Sequence, residues 1–293
     1  SSKMTYGEAI DKYISINYHI LSPSTVRGYK KIQSNYLQKI INTPISALNT
    51  PKIQAAINED ASTLSAKTVS NSVGLLKTVL KLFMPEYSPV VKLPQREYKE
   101  TIVPEDEDIK LLLTESKKLK SPNLYKALLL ASCVGGMRRS EVAALTYDDI
   151  DSVNNTITIN KAIVENENKK LIQKAPKTTS SNRTVKVSPL IIEELLRYKE
   201  SDNVFTCTIN GISGRYNRLK AKHNINIKFH DLRHYNASVM HSLNVPNKYA
   251  MGITGHSTES TLTGVYQHKM KNKVNEIDQQ LSDYYTKIIQ SIE

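Results

Sequence analysis

The sequence predicts a mainly α-helical protein with one small antiparallel β-sheet. Capped segments with an apolar stripe at helical spacing fill the first 84 residues and return after residue 104. Only the stretch from Asn154 to Val187 changes to the two-residue period of strands. Between the helical parts, Met84 to Pro104 is dense in proline, which resists helix and favours an extended connector. We therefore expect a helical domain at 1–84, an interdomain linker at 85–104, a larger domain at 105–272 and a separate helix at 273–293.

Capping residues predict four helix starts in the first domain. Thr5 and Glu8 form a capping box, and Ser22 precedes a proline at the first helical position. Thr50 with its following proline repeats that signal, and Ser65 precedes the fourth helix. Behind each start, apolar residues recur at three- and four-residue steps, so these stripes predict the core of a four-helix unit.

The larger domain begins with helices and passes through the predicted sheet. Glu105 to Leu119 reads as a helix with acids in its first turn and lysines in its last, which matches the helix dipole. Ser121-Pro122 starts an apolar helix. Thr156 to Ile159 and Arg183 to Val187 alternate and predict an antiparallel pair. Pro189 to Lys199 returns to helix, and the remainder is mostly helical.

The composition indicates a globular protein that binds a polyanion. The 293 residues carry a net charge of +12, with a pI of about 9.4. That excess favours nucleic acid first and a membrane surface second, with simple solubility as the alternative. No apolar run of about 18 residues exists and no signal peptide is visible, so no membrane span is expected. Cys133 and Cys207 cannot build a disulfide framework, so a reducing cytosol is expected.

Two arginine motifs in the larger domain suit a phosphodiester. Arg138 follows Gly135-Gly136, a backbone break at the end of an apolar helix. Arg233 lies three residues after His230, so both should project from one helix face. Guanidiniums supply planar forks of donors that match phosphate oxygens, and catalysis of phosphoryl transfer is mostly charge stabilisation and positioning. We predict that Arg138 and Arg233 clamp a phosphodiester.

A tyrosine, a lysine and two histidines complete the candidate site. Tyr266, ten positions after His256, is the predicted nucleophile, and its phenol needs a nearby base or a cationic setting to attack at neutral pH. His230 could take the proton from the attacking group or hold the phosphate. Gly255 before His256 allows close approach of a ligand or another backbone. Lys177, predicted at a turn between the strands, would protonate the leaving 5′ oxygen, with a simply exposed hairpin lysine as the alternative.

The histidines also raise the alternative of a metal site. His230 and His234 are four residues apart, as in the helical zinc-protease pattern. That pattern needs a glutamate directly after the first histidine, but Asp231 stands there, and Arg233 between the histidines would repel a divalent cation. We therefore predict no metal, and we expect His234 to be structural.

Together these motifs resemble those of the tyrosine recombinases. Their order and spacing are similar to the phage and conjugative-transposon integrase branch, and the four-helix unit resembles the core-binding domain of that family. The resemblance covers nearly the whole chain, and the combination is highly specific although each piece alone is weak. The motifs are Gly136–Glu141, Pro176-Lys177-Thr178, His230–His234, Gly255-His256 and Tyr266.

The resemblance implies a helical core-binding domain followed by a tyrosine-recombinase catalytic domain. It implies a site-specific recombinase that integrates or excises a mobile element through a covalent 3′-phosphotyrosine, a free 5′ hydroxyl and a Holliday junction. No ATP, metal or other cofactor is expected. Glu141 would support Arg138 rather than perform chemistry. By this resemblance Tyr266 is the nucleophile, and the activating residues are Arg138, Lys177, His230, Arg233 and His256.

The expected partners are DNA and further copies of the chain. The substrate would be double-stranded DNA at attachment or element-end sites, bound by a dimer or tetramer in the bacterial cytoplasm near the nucleoid. An accessory directionality factor is a further candidate. The amphipathic segment after residue 272 is expected to dock on a neighbouring protomer, with packing on its own domain as the alternative. In the first domain, DNA contacts or simply solvated cations are expected at Arg27, Lys30, Lys31, Lys67 and Lys77.

Two alternative functions are compatible with some of these motifs. A type IB topoisomerase shares the chemistry but relaxes supercoils without a specific site. A DNA-binding architectural protein would lack catalysis, which the complete set of six polar residues argues against.

Integrases of this branch usually carry an arm-binding domain, and none is visible before Thr5. Tyr235 stands where a small or hydroxyl residue is commoner, with little expected effect on chemistry.

Overall fold

The computed structural model describes residues 3–97, 102–175, 181–259, 279, 281–283, 285 and 290. Its backbone divides into two compact units. The first comprises Ser1–Lys99 with Val164–Ile172, and the second comprises Glu100–Ile163 with Gln173–Glu293. The sequence placed residues 164–172 in the larger domain, whereas the contacts of the backbone group them with the first unit. The mainly α-helical class with small antiparallel sheets is confirmed.

The first unit is a helical bundle whose starts follow the predicted caps. The Thr5 capping box is formed, and the side chains of Ser22 and Ser65 accept hydrogen bonds from the third residue of their helices. The third predicted start lies one residue earlier than expected, because the Asn49 side chain accepts from the backbone of Lys52. The helices are α1 (Tyr6–Ile16), α2 (Pro23–Asn35), α3 (Gln38–Ile41), α4 (Thr50–Ala61) and α5 (Ala66–Phe83), with a 3-10 turn at Ile45–Ala47.

The end of α2 differs from the apolar stripe that the sequence predicts, which continues through Tyr36 and Leu37. Tyr36 is extended, and Leu37 has a φ of 53°, in the left-handed region. The backbone N–H of Leu37 donates to the Asp60 carboxylate at 2.9 Å. This contact holds the turn, so that Leu37 enters the core of the unit fully buried rather than extending α2.

The second unit is built around α7, a helix that is buried almost all round. Helices α6 and α11 pack on it, and Tyr235 of α11 donates a hydrogen bond to Asp106 at 2.8 Å. The predicted helix at 105–119 is shorter than expected at both ends. The helices are α6 (Asp106–Lys117), α7 (Asn123–Cys133), α8 (Arg139–Val142), α9 (Pro189–Arg197), α10 (Ile209–His223), α11 (Asp231–Ser242) and α12 (Asn247–Thr254).

The predicted strand pair is formed and lies against the core of this unit. Thr158 pairs with Thr184 and Ile159 with Arg183, in antiparallel register. Ile157 and Ile159 are buried in the cluster around α7. The sheet order is β1-β2-β5, with β1 (Ile150–Asp151), β2 (Thr156–Ile159) and β5 (Arg183–Lys186), and a separate pair joins β3 (Ala162–Glu165) to β4 (Leu171–Lys174).

No helix in the described ranges combines the length and apolar character that crossing a membrane requires. Cys133 and Cys207 are both free thiols.

Candidate active site

A left-handed turn at two glycines places Arg138. After α7 ends, Gly135 and Gly136 have φ values of 54° and 57°, which side chains other than glycine rarely adopt. A Cβ on Gly135 would lie 2.6 Å from the carbonyl oxygen of Ile253, and one on Gly136 would lie 3.0 Å from Cγ of Arg233. The turn therefore brings the start of α8 against both α11 and the end of α12.

Arg138 is held by Glu141 and by the backbone before His256. Its Nη1 donates to Glu141 Oε1 at 2.6 Å, and its backbone N–H donates to Oε2 at 2.9 Å. Its Nη2 donates to the carbonyl oxygen of Gly255 at 3.0 Å. The side chain keeps 35% of its surface exposed, whereas Glu141 keeps 3%. Arg138 is thus fixed in place and still open to a ligand.

Arg233 is the most deeply buried of the predicted cations. It is 2% exposed, and its Nη1 donates to the carbonyl oxygen of Gly136 at 2.6 Å. Its Nη2 is buried and has no hydrogen-bond partner among the described residues. Burial, together with the charges of Arg138 and Arg183, lowers the pKa of Arg233 to about 9, so it remains a cation at neutral pH. A buried cationic donor of this kind suits an anionic ligand.

His230 lies at the start of α11 and is exposed. Its ring meets the ring of His234 edge to face, with centroids 5.0 Å apart. Although the residue as a whole is exposed, neighbouring atoms partly desolvate its ring, and this desolvation, followed by the charges of Arg233 and Arg138, lowers the pKa of His230. The ring is therefore neutral at neutral pH and able to accept a proton. We expected His230 and Arg233 to project from one helix face. They do so only in part, because Arg233, one turn after His230, points into the core.

His256 is buried directly after the left-handed Gly255 that ends α12. Its Nδ1 lies 2.7 Å from the Thr254 hydroxyl, which itself donates to the carbonyl oxygen of Ala250 at 2.7 Å. Since that hydroxyl proton is already used, Nδ1 carries the ring proton and leaves Nε2 as an acceptor. Burial, and then the charges of Arg233 and Arg138, lower the pKa of His256 to about 3.

His256 is expected to make the protein less stable as the pH falls. The unfolded chain takes up its proton near the ordinary value of 6.5, whereas the folded chain takes it up only near 3. The stabilisation of the folded state by the neutral His256 ring is therefore fully present above about pH 6.5. It is lost progressively as the pH falls towards about 3. His256→Gln should flatten the fall in the free energy of unfolding between about pH 6.5 and 5, where ordinary carboxylates change little.

Chemical denaturation at several pH values measures this slope. The exposed His19→Gln, in the first unit, is the matched control and should keep the parental slope. An unchanged slope in His256→Gln would contradict the assignment.

The structure brings four of the six predicted site residues together. Arg138, Arg233, His230 and His256 lie close enough for the two guanidiniums to lower the pKa of both histidines. Lys177 and Tyr266 lie outside the described residues. The catalytic roles of all six stay predictions.

Sequence reasoning missed Arg183, the first residue of β5. It is buried and forms an ion pair with Glu141 at 3.0 Å. Burial of the carboxyl acts to raise the pKa of Glu141, but Arg183 and then Arg138 outweigh it and hold that pKa below its ordinary value. The available signal was a charged residue on the side of an alternating strand that faces the core.

The predicted DNA contacts of the first unit lie on α2 and α5. Arg27, Lys31, Lys67 and Lys77 are exposed, whereas Lys30 is half-buried and paired with Asp11. Arg27 also has an acidic partner, at 3.6 Å. Neither helix contains an acidic residue of its own, so the acidic partners of Arg27 and Lys30 come from other segments. All five roles stay predictions.

A basic groove in the second unit was not foreseen. It has a volume of about 440 Å³ and lies between the end of α6 and α10, a helix without acidic residues. Five cationic side chains line it, together with the Glu115 carboxylate, which pairs with Lys118: Lys118, Lys120, Arg215, Arg218 and Lys222.

The phage integrase family model matches residues 104–273, more than half of the chain. A XerC-like tyrosine recombinase of Caldanaerobacter subterraneus subsp. tengcongensis is 26% identical over 302 residues, covering 87% of this chain and 77% of the relative. The integrase of Staphylococcus phage L54a is 26% identical over 298 residues, covering 86% of this chain and 83% of the relative.

Solved structures share the fold at lower identity. The Tn1549 transposon integrase, in complex with transposon right end DNA, superposes with a TM-score of 0.76 at 16% identity, covering 95% of this chain and all of that one. A lambda integrase dimer bound to a COC′ core site gives a TM-score of 0.67 at 15% identity, covering 92% and 97% of the two chains. These relatives lend no support to the type IB topoisomerase alternative.

Proposed function

The chain belongs to the phage integrase family, and we propose that it integrates or excises a mobile element by site-specific recombination of DNA. Its enzyme class, the tyrosine recombinases and integrases, acts on DNA. The observation that carries the proposal is that Arg138, Arg233, His230 and His256 lie near one another, and that one guanidinium nitrogen among them is buried without a partner. That nitrogen, Nη2 of Arg233, has no partner in the described part of the chain.

In the proposed cleavage step, Tyr266 Oη attacks the scissile phosphorus and forms a 3′-phosphotyrosine bond. The bond from phosphorus to O5′ breaks, and Lys177 gives the leaving oxygen its proton. The neutral ring of His230 accepts the phenolic proton. Arg138 and Arg233 offset the charge that develops on the non-bridging oxygens.

His256 would act on the same phosphate. Its Nε2 is an acceptor in the free protein, because the Thr254 hydroxyl donates to Ala250 and so accepts from Nδ1. A bound phosphate would add negative charge beside Arg138 and Arg233 and so raise the pKa of His256. The ring would then take up a proton and donate from Nε2 to a phosphate oxygen.

Rejoining reverses these bonds with a different strand. The free 5′ hydroxyl of a partner duplex attacks the phosphotyrosine, and the tyrosine leaves with its proton restored. One phosphodiester bond is exchanged for another, so no ATP or other cofactor is required. Two rounds of exchange in a tetramer on DNA would pass through a Holliday junction.

A nicked suicide substrate tests the proposal. Footprinting on candidate element ends first finds the binding site, and a duplex nicked beside the cleavage position then traps the covalent adduct. A denaturing gel should show a protein band shifted by the attached strand. Relaxation of supercoiled plasmid without need for that site would instead favour a topoisomerase, and binding without any adduct would favour an architectural protein.

Positive helix faces of both units would hold the DNA backbone. The faces are those of α2 and α5, with Arg27, Lys31, Lys67 and Lys77, and the basic groove beside α10. Lysine and arginine contacts with phosphates displace counterions, so affinity should fall steeply as salt increases.

The segment after residue 272 is proposed to dock on a neighbouring protomer. A chain that ends at residue 272 should bind a single site normally but assemble poorly on paired sites, because the segment would link one protomer to the next. Native gels with one-site and two-site DNA measure both steps. Undiminished tetramer formation and strand exchange would rule out docking in trans.

A further inference from the structure

Arg183 occupies a position where an alternating strand calls for an apolar residue. Along β5, Arg183 and Val185 are buried whereas Thr184 and Lys186 are exposed. Arg183 pairs with Ile159 in the sheet and is 8% exposed. A buried guanidinium lowers stability unless partners satisfy its charge and its donors.

The partners of Arg183 belong to three separate segments of the chain. Its Nε donates to the carbonyl oxygen of Ile253 at 2.8 Å, and Nη1 donates to that of Ser181 at 3.1 Å. Its Nη2 donates to Glu141 Oε2 at 3.0 Å. The same carboxylate accepts two hydrogen bonds from Arg138. Glu141 therefore joins two guanidiniums, of which one is open to a ligand and the other is enclosed.

The other end of this network lies just before His256. The carbonyl oxygens of Ile253 and Gly255 are at the end of α12, where helix carbonyls lack partners within the helix. Arg183 donates a hydrogen bond to the Ile253 oxygen at 2.8 Å, and Arg138 donates one to the Gly255 oxygen at 3.0 Å. The backbone leading into His256 is thereby fixed by the two arginines that share Glu141.

We propose that Arg183 is a positioning residue that sets the separation of Arg138 and His256. It acts on Arg138 through Glu141, and on His256 through the carbonyl of Ile253, without itself touching DNA. The inference rests on the proposed function, because it concerns the geometry in which these two side chains would meet a phosphate.

Arg183→Lys tests positioning while keeping the charge. One ammonium can pair with Glu141 but cannot reproduce the planar fork that also reaches Ile253. The rate of adduct formation at saturating DNA should fall about 10²-fold, the size of effect expected from a small misplacement of catalytic groups. DNA affinity should be unchanged. The matched control is Arg197→Lys, an exposed partner of Glu194 on α9 that should behave like the parent.

A second readout does not depend on activity. The imidazole proton resonance of His256, identified by its absence in His256→Gln, reports the surroundings of that ring. It should move in Arg183→Lys and stay in place in Arg197→Lys. This comparison decides the role of Arg183 even if the parent forms no adduct, an outcome that would contradict the proposed function instead.

A double variant guards against misfolding. Glu141→Gln with Arg183→Gln leaves no unpaired buried charge between the two positions, and should fold while cleaving as poorly as Arg183→Lys. Parental cleavage in either variant, or an unmoved His256 resonance in Arg183→Lys, would overturn the proposal. So would a loss of activity that only follows the fraction of unfolded protein in a thermal melt.

Discussion

Tyr266→Phe is expected to abolish the covalent adduct while leaving DNA affinity nearly unchanged. Phenylalanine keeps the ring and removes only the oxygen that would form the bond to phosphorus, so no residual rate is expected from this position. The nicked suicide substrate measures the adduct, and a gel shift on the same duplex measures affinity.

Tyr249→Phe is the matched control for this substitution. Tyr249 is 68% exposed on α12 and is not among the predicted site residues. It should form adduct at the parental rate. An adduct that persists in Tyr266→Phe would show that the nucleophile is another residue, which peptide mapping of the adduct would then locate.

Arg233→Lys is expected to reduce the rate of cleavage by about 10²- to 10³-fold, the loss found when a donor to a developing oxyanion is removed. Arg233 donates to the carbonyl of Gly136 through one nitrogen and leaves Nη2 for a ligand. A lysine ammonium lacks this planar fork and cannot serve both partners in the same geometry. Single-turnover cleavage at saturating DNA gives the rate.

Arg139→Lys provides the control for a change of arginine to lysine beside the site. Arg139 is adjacent to Arg138 in sequence, yet it is exposed and donates to the Ser213 hydroxyl at 2.9 Å. Its cleavage rate should match the parent. Because Arg233 is buried, thermal melts of both variants are needed to choose a temperature at which each is folded. A folded Arg233→Lys with the parental rate would contradict its proposed role.

The sequence predicted best those features, such as helix caps, that depend on residues only a few positions apart. The capping box at Thr5 and the cap at Ser22 were correct because a capping side chain bonds to a backbone N–H only three positions away. The end of α2 was not predicted, because Leu37 is held by Asp60 from another helix. The alternation of β2 and β5 predicted the pairing of these strands but gave no partner for Arg183.

The candidate site shows the same limit. Arg138, His230, Arg233 and His256 could be selected from short motifs and a family resemblance, and the structure places them together. For Arg183 the alternation of β5 indicates only a charged residue facing the core, because its partners Glu141 and Ile253 lie 42 and 70 residues away in the chain. Folding brings these segments together, and no local spacing records that. Lys177 and Tyr266 remain predictions from sequence.

The left-handed turn at Gly135 and Gly136 also bears on how this enzyme could be re-engineered for a new DNA target. Any added side chain there would collide with the backbone of Ile253 or with Arg233. Libraries that randomise this turn would therefore consist mostly of inactive members. The faces of α2, α5 and α10 that we propose to contact DNA carry no such constraint, so directed evolution of target choice can be tried on them while the turn is kept constant.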